Sequence, residues 1–173
     1  MIAPPLRLLF LCTHNRCRSI LFEALVHAEG GPKLEARSAG SDPAGAVHPA
    51  TLAALSQEGM GTEGLKSEGW EAHRAWAPEL VITVCDRAAG ESCPLWLGAS
   101  PRLHWGFADP SALPEGPAQR QAFHQTLEAM RKKLGLLHEL AAQPRASLPE
   151  AVKRLSDAEL RKRRRWAGLA RGW

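Results

Sequence analysis

Two short and almost wholly apolar runs limit what this chain can fold into. Residues 6–12 read LRLLFLC and residues 79–85 read ELVITVC. A strand with one wet face alternates apolar and polar residues. A continuous apolar run of this length reads instead as a strand covered on both faces. The first run passes straight into a helical pattern over 17–30, with Ile20, Leu21, Ala24 and Leu25 on one side and Gly30-Gly31 closing it. Further along, 33–40 (KLEARSAG) reads as a strand and 48–59 (HPATLAALSQEG) as a helix with Pro49 in its first turn. A weaker strand follows at 102–107 (RLHWGF), then a long helix over 118–142. In that helix Phe123, Leu127, Met130, Leu134 and Leu137 form one apolar stripe. Strands separated by helices predict an α/β three-layer sandwich, with a central four-stranded parallel sheet flanked by helices.

The 173 residues suffice for one such domain. The expected division is a domain over 1–144 and a basic, helical C-terminal extension over 145–173. Charge is divided the same way. Residues 145–173 carry 9 basic and 3 acidic side chains, and residues 1–144 carry 13 and 15. The net charge of +4 therefore describes a tail. Its basic run, 161–166 (RKRRRW), reads as a solvated helix face, and nucleic acid is not the expected partner. No apolar run reaches the roughly 18 residues of a membrane span, and the N-terminus lacks a basic segment ahead of its apolar run. The cytoplasm is the expected compartment, with no membrane partner. In that reducing setting the four cysteines point to catalytic use or metal binding and away from a disulfide scaffold. Zinc sites use closely spaced pairs such as Cys-x2-Cys. Four residues separate Cys12 from Cys17 and seven separate Cys85 from Cys93, so no metal is expected.

In open α/β sheets ligands bind beyond the carboxyl ends of the strands. Here the first strand ends at Cys12, the third at Cys85, and the fourth runs into HWGFADP (104–110). A loop between a strand and a helix N-terminus turns several backbone N–H groups toward one point and makes an anion site. A lone cysteine at a strand end reads as a core residue. A cysteine in such a loop has its pKa lowered and becomes a thiolate nucleophile. Arg18, six positions on, adds a planar fork of donors suited to a tetrahedral oxyanion. The candidate oxyanion loop is Thr13, His14, Asn15, Arg16, Cys17, Arg18 and Ser19. Within it Asn15 could brace the loop and Ser19 could hydrogen-bond the thiolate. His14 is expected to point to solvent and Cys17 to pack.

CTHNRCRS (12–19) resembles the phosphate loop of the low-molecular-weight protein tyrosine phosphatases and of the arsenate reductases that share their fold. RSAG (37–40), VHP (47–49), VITVCDRAAGESCP (81–94) and HWGFADP resemble arsenate reductase segments in order and rough spacing, so the likeness covers about residues 6–142. The resemblance implies reduction of arsenate to arsenite, for arsenic detoxification. Cys12 attacks arsenate, Cys85 then attacks Cys12 and leaves a disulfide, and Cys93 carries that disulfide to the surface. Asp109, in a loop fixed by Pro110, is the implied general acid. Ser38 is placed behind the loop, and His104 and Trp105 are read as structural. The implied reductant is an external thiol system, thioredoxin ahead of glutaredoxin, with no bound cofactor. The alternative is a phosphatase that hydrolyses phosphomonoesters through a phosphorylated Cys12. Those enzymes typically carry tyrosine after the Asp-Pro pair and a His-x-Ala-Arg segment. This chain has no tyrosine, Ser111 follows Pro110, and 72–78 reads AHRAWAP. Arsenate and phosphate are near-isosteres, so the loop separates them poorly and some phosphatase activity is expected.

Overall fold

The computed structural model of the protein describes residues 3–91 and 93–171. In chain order its elements are β1 (Leu6–Leu11), α1 (Arg18–Glu29), β2 (Leu34–Ala39), α2 (Pro49–Gln57), β3 (Leu80–Thr83), α3 (Asp86–Ala89), α4 (Leu95–Gly98), β4 (Arg102–His104), α5 (Pro117–Ala141) and α6 (Leu148–Ala170). The strands form one parallel sheet in the order β2-β1-β3-β4. Phe10 of β1 sits level with Ser38 on one side and Ile82 on the other. The chain leaves β1 for one edge of the sheet and returns for the other. The crevice above β1 and β3 is therefore the switch point where such sheets bind ligands, and the two apolar runs are its two central strands.

Alternation along β1 divides the interior into two unequal layers. Leu6, Leu8, Phe10 and Cys12 face the larger core with α1, α2, α5 and the first turns of α6. The stripe on α5 is buried, as its spacing predicts, and Leu148, Ala151 and Val152 of α6 join the same core. Phe10 stacks on Phe22 with ring centroids 4.2 Å apart. Leu9 and Leu11 face a thinner layer completed by Ala39, Val81 and Leu97 of α4, with Trp70, Trp76, Trp96 and Cys93 packed against it. The Trp96 indole donates to Glu71 Oε1 at 2.9 Å, fastening α4 to the 3-10 turn over Trp70–His73. Helices thus cover both faces of the sheet, as expected, but the thinner cover is built from single turns.

The differences from the sequence reading are local. Strand pairing stops at Thr83, so Cys85 lies beyond β3, at the N-cap of α3. β4 is three residues long, because the backbone at Trp105 and Phe107 bonds back to Thr83 and Val84 and turns away. The segment 86–89, between the two cysteines, forms a helical turn. Its N-cap is the Cys85 sulfur, which accepts from the Ala88 amide at 3.4 Å. Among the described residues no helix is long and apolar enough to cross a membrane.

Candidate active site

The loop 12–17 joins the end of β1 to α1, and its shape follows from where its carbonyls go. The carbonyls of Thr13, His14 and Arg16 accept from the amides of Asp42, Ala44 and His48 at 2.9, 3.0 and 3.0 Å. In a planar trans peptide the next N–H points the opposite way. The amides of His14, Asn15 and Cys17 therefore turn away from the 40–48 segment, and the loop becomes a cradle of donors. Two positions permit this. Asn15 holds a left-handed backbone at φ 45°. Gly40 lies directly under the loop, where a Cβ would stand 2.4 Å from the Thr13 carbonyl oxygen. The RSAG segment ends in glycine because the loop passes over it.

Asn15 is fully buried and all of its side chain is used. Its Nδ2 donates to the hydroxyls of Ser19 at 2.8 Å and Ser38 at 2.9 Å, and its Oδ1 accepts from the Glu68 amide at 2.8 Å. The Ser38 hydroxyl donates in turn to Glu23 Oε1 at 3.0 Å. Asn15 and Ser38 therefore brace the loop as read from sequence, and the observed partner of Ser19 is Asn15. His73 closes the group, with Nε2 donating to the Ser38 carbonyl at 2.9 Å and lying 3.2 Å from Glu68. Burial pushes the Glu23 carboxyl up to about 7, against the pull of its Ser38 contacts. A carboxyl raised above its ordinary value gives stability that is present below that value and lost as pH rises through the raised one. The rise from 4.5 to about 7 is worth about 3 kcal/mol. Glu23→Gln is expected to flatten the fall in stability between pH 5 and pH 8. Urea midpoints at both ends check this, and an unchanged slope would assign the fall to other groups.

Nine residues line a cavity of about 190 Å³ at the switch point: Cys12, Thr13, His14, Arg16, Cys17, Arg18, Cys85, Arg87 and Asp109. That volume suits a tetrahedral oxyanion. Arg18 reaches across from α1, donating to the Phe107 carbonyl at 2.9 Å, with its guanidinium 4.0 Å from Asp109 Oδ2. Asp109 Oδ1 accepts from the Ser111 amide at 2.9 Å and hydroxyl at 2.7 Å. Burial raises the Asp109 carboxyl, but Ser111 and Arg18 outweigh it, and the net direction is down. At rest Asp109 is a carboxylate. His14 is half-exposed, with its ring against the Asp42 carbonyl. Cys17 is buried beside Thr51, Asp109 and Ser111, and its thiol is pushed up to about 11, chiefly by burial.

Cys12 and Cys85 line the same cavity and perturb each other's titration. They titrate as a pair. The sequence alone predicts a lowered Cys12. In the resting structure Cys12 is held up, first by its neighbour Cys85 and then by burial, while Arg18 pulls it down. Cys85 is drawn down to about 5, first by Cys12, with the Ala88 and Thr13 amides assisting. Ionising one thiol of the pair therefore disfavours ionising the other. Thr13 ties the two halves together. Its hydroxyl lies 3.8 Å from Cys85 Sγ and donates to Glu91 Oε1 at 3.0 Å. Cys93 stands apart from this cluster, half-buried against the thinner core. His104 has a bracing place, between the Thr83 hydroxyl and Asp86 Oδ1, each at 2.8 Å. Sequence reasoning missed Arg87 and Glu91. The only signal was their place between the two cysteines.

A parallel sheet with a thiol loop at its switch point defines a class, and comparison identifies it. The chain belongs to the low molecular weight phosphotyrosine protein phosphatase family, whose profile matches residues 7–153. Its relatives include the arsenate reductase of Halalkalibacterium halodurans, 33% identical over 102 residues, 59% of this chain and 72% of that protein. The arsenate reductase of Bacillus subtilis is 31% identical over 116 residues, 67% of this chain and 82% of that protein. Among solved structures, the thioredoxin-dependent arsenate reductase of Corynebacterium glutamicum superimposes with a TM-score of 0.60 at 28% identity. That match covers 80% of this chain and 64% of the Corynebacterium chain, so this chain spans less than two thirds of that neighbour's length.

Proposed function

We propose that the protein reduces arsenate to arsenite, with Cys12 as nucleophile and Cys85 and Cys93 as a disulfide relay. The observation that carries this reading is the Cys85 thiol set against Cys12. Hydrolysis needs one thiol and water, whereas reduction needs a second thiol within reach of the first. The relatives named above support the same choice.

With arsenate in the cradle, the Cys12 proton moves to Cys85 and Cys12 attacks arsenic. One S–As bond forms and one As–O bond breaks, the oxygen leaving as water. Asp109 takes the role of acid, because a bound oxyanion beside its carboxylate raises its proton affinity. Cys85 passes that proton to an oxygen of the bound arsenical and, as thiolate, attacks the Cys12 sulfur. The S–As bond breaks and its electron pair stays on arsenic, so arsenite leaves and a Cys12–Cys85 disulfide remains. Cys93 thiolate attacks Cys85, restoring Cys12, and an external dithiol returns two electrons and two protons. Thioredoxin is the reductant this reading favours, and glutaredoxin is the alternative.

The test is arsenite production by the purified chain, supplied in parallel with thioredoxin and glutaredoxin systems and followed with NADPH oxidation. One arsenite per NADPH in the thioredoxin arm is the expected result. Hydrolysis of an aryl phosphate with no arsenite in either arm would establish the phosphatase instead. Asp109→Asn is expected to slow turnover by about 10² to 10⁴. Phosphate should still protect Cys12 from alkylation in that variant. Weakened protection at an unchanged maximal rate would make Asp109 a loop brace.

A further inference from the structure

The C-terminal helix reaches the active site. Its first turns are buried in the main core, and from Leu160 through Arg171 every residue is exposed. The helix therefore overhangs the body, and two contacts aim the overhang. Lys133 Nζ on α5 pairs with Glu159 Oε1 at 3.0 Å, and the same ammonium lies 5.2 Å from the Trp105 ring centroid. Trp105 precedes Gly106 and Phe107, which form one wall of a second cleft, of about 570 Å³. Residues four apart share a helix face. One turn beyond Glu159, Arg163 lines that cleft, opposite Arg87.

The second cleft shares Arg18, Cys85 and Arg87 with the oxyanion cavity, so the two adjoin. Arg18, Arg87 and Arg163 are its cations. Asp86 is its one acid, and His104 holds that carboxylate at 2.8 Å. The cleft is therefore cationic, on a body whose residues 1–144 carry two more acidic than basic side chains. An approaching oxyanion is weakly repelled by the body and attracted here.

We propose that Arg163 and Arg87 form an outer anion subsite, in which an incoming tetrahedral oxyanion is held beside Arg18 before it enters the Cys12 loop. The other arginines of the overhang remain a solvated face. The subsite selects for charge and does not separate arsenate from phosphate. It rests on the reading of Cys12 as the loop nucleophile and is indifferent to whether the loop reduces or hydrolyses.

The test compares alkylation of the full chain by iodoacetate, an anion, and by iodoacetamide, its neutral analogue, with the labelled cysteine identified by peptide mapping. In Arg163→Glu the iodoacetate rate at Cys12 is expected to fall about three- to tenfold at low salt, with the iodoacetamide rate unchanged. The difference should shrink at about 0.5 M salt, where the screening length is only a few ångströms. Arg165→Glu, with the same change in net charge on the far side of the helix, should show less than half that fall. The inorganic phosphate concentration that half-protects Cys12 should rise in Arg163→Glu. An unchanged ratio of the two reagents, an equal effect of Arg165→Glu, or a parallel loss with both reagents would each overturn the subsite. Label confined to Cys17 or Cys93 in the unaltered chain would overturn the loop assignment, and the subsite with it.

Discussion

Serine in place of Cys12 is expected to abolish arsenate turnover and aryl phosphate hydrolysis together. Both reactions begin with the same sulfur attacking the same kind of tetrahedral centre. A serine hydroxyl there keeps the volume and loses the nucleophile, because nothing in the crevice would ionise it. Folding should be spared. The brace behind the loop runs through Asn15, Ser19 and Ser38 and does not use the Cys12 side chain. Phosphate binding should therefore survive, measured by calorimetry, since its donors are backbone amides and Arg18. Retained turnover of either kind would remove Cys12 from the chemistry. Loss of phosphate binding along with activity would show that the sulfur shapes the cradle.

Cys85→Ser should divide the two activities. Arsenate turnover is expected to stop, while hydrolysis of an aryl phosphate continues. The same change carries a second signature. Cys85 is the largest cause holding the Cys12 thiol up. Without it, burial still raises Cys12, but Arg18 and the Thr13 amide act without opposition from a neighbouring thiolate. The pH midpoint for alkylation of Cys12 should move down in Cys85→Ser. A midpoint that moves up would mean that Cys85 had been stabilising the Cys12 thiolate. Cys93→Ser should release one arsenite per enzyme and then stall, with Cys12 and Cys85 joined, as peptide mapping can establish. Wild-type turnover by both variants would leave the relay without support.

Much of the sheet is legible in the sequence because its strands are buried on both faces. LRLLFL and LVIT admit few other readings, with Cys12 directly after the first and Cys85 two residues beyond the second. The stripe on α5 is equally plain. What escapes the sequence has no period. The turn over Trp70–His73 and helices α3 and α4 are single turns, fixed by tryptophans and by a sulfur cap rather than by their own pattern. The positions of Cys12, Arg18 and Asp109 around one cavity follow from strand ends and a loop. Arg87 and Arg163 do not, because an exposed arginine gives no local sign of what it faces. The direction of the Cys12 shift also escapes, since it depends on a neighbour 73 residues away.

The thinner layer carries a consequence for motion. Cys93 is packed into that layer, one residue before the cap of α4, whose Leu97 is fully buried against Leu9, Leu11 and Val81. A sulfur that travels from there to Cys85 draws α4 with it and uncovers apolar surface that the sheet otherwise hides. On the proposed relay, electron transfer is coupled to local opening. The oxidised chain is then expected to be the looser one, with its amides along α4 exchanging with solvent sooner, and each reduction to restore part of the protein's interior.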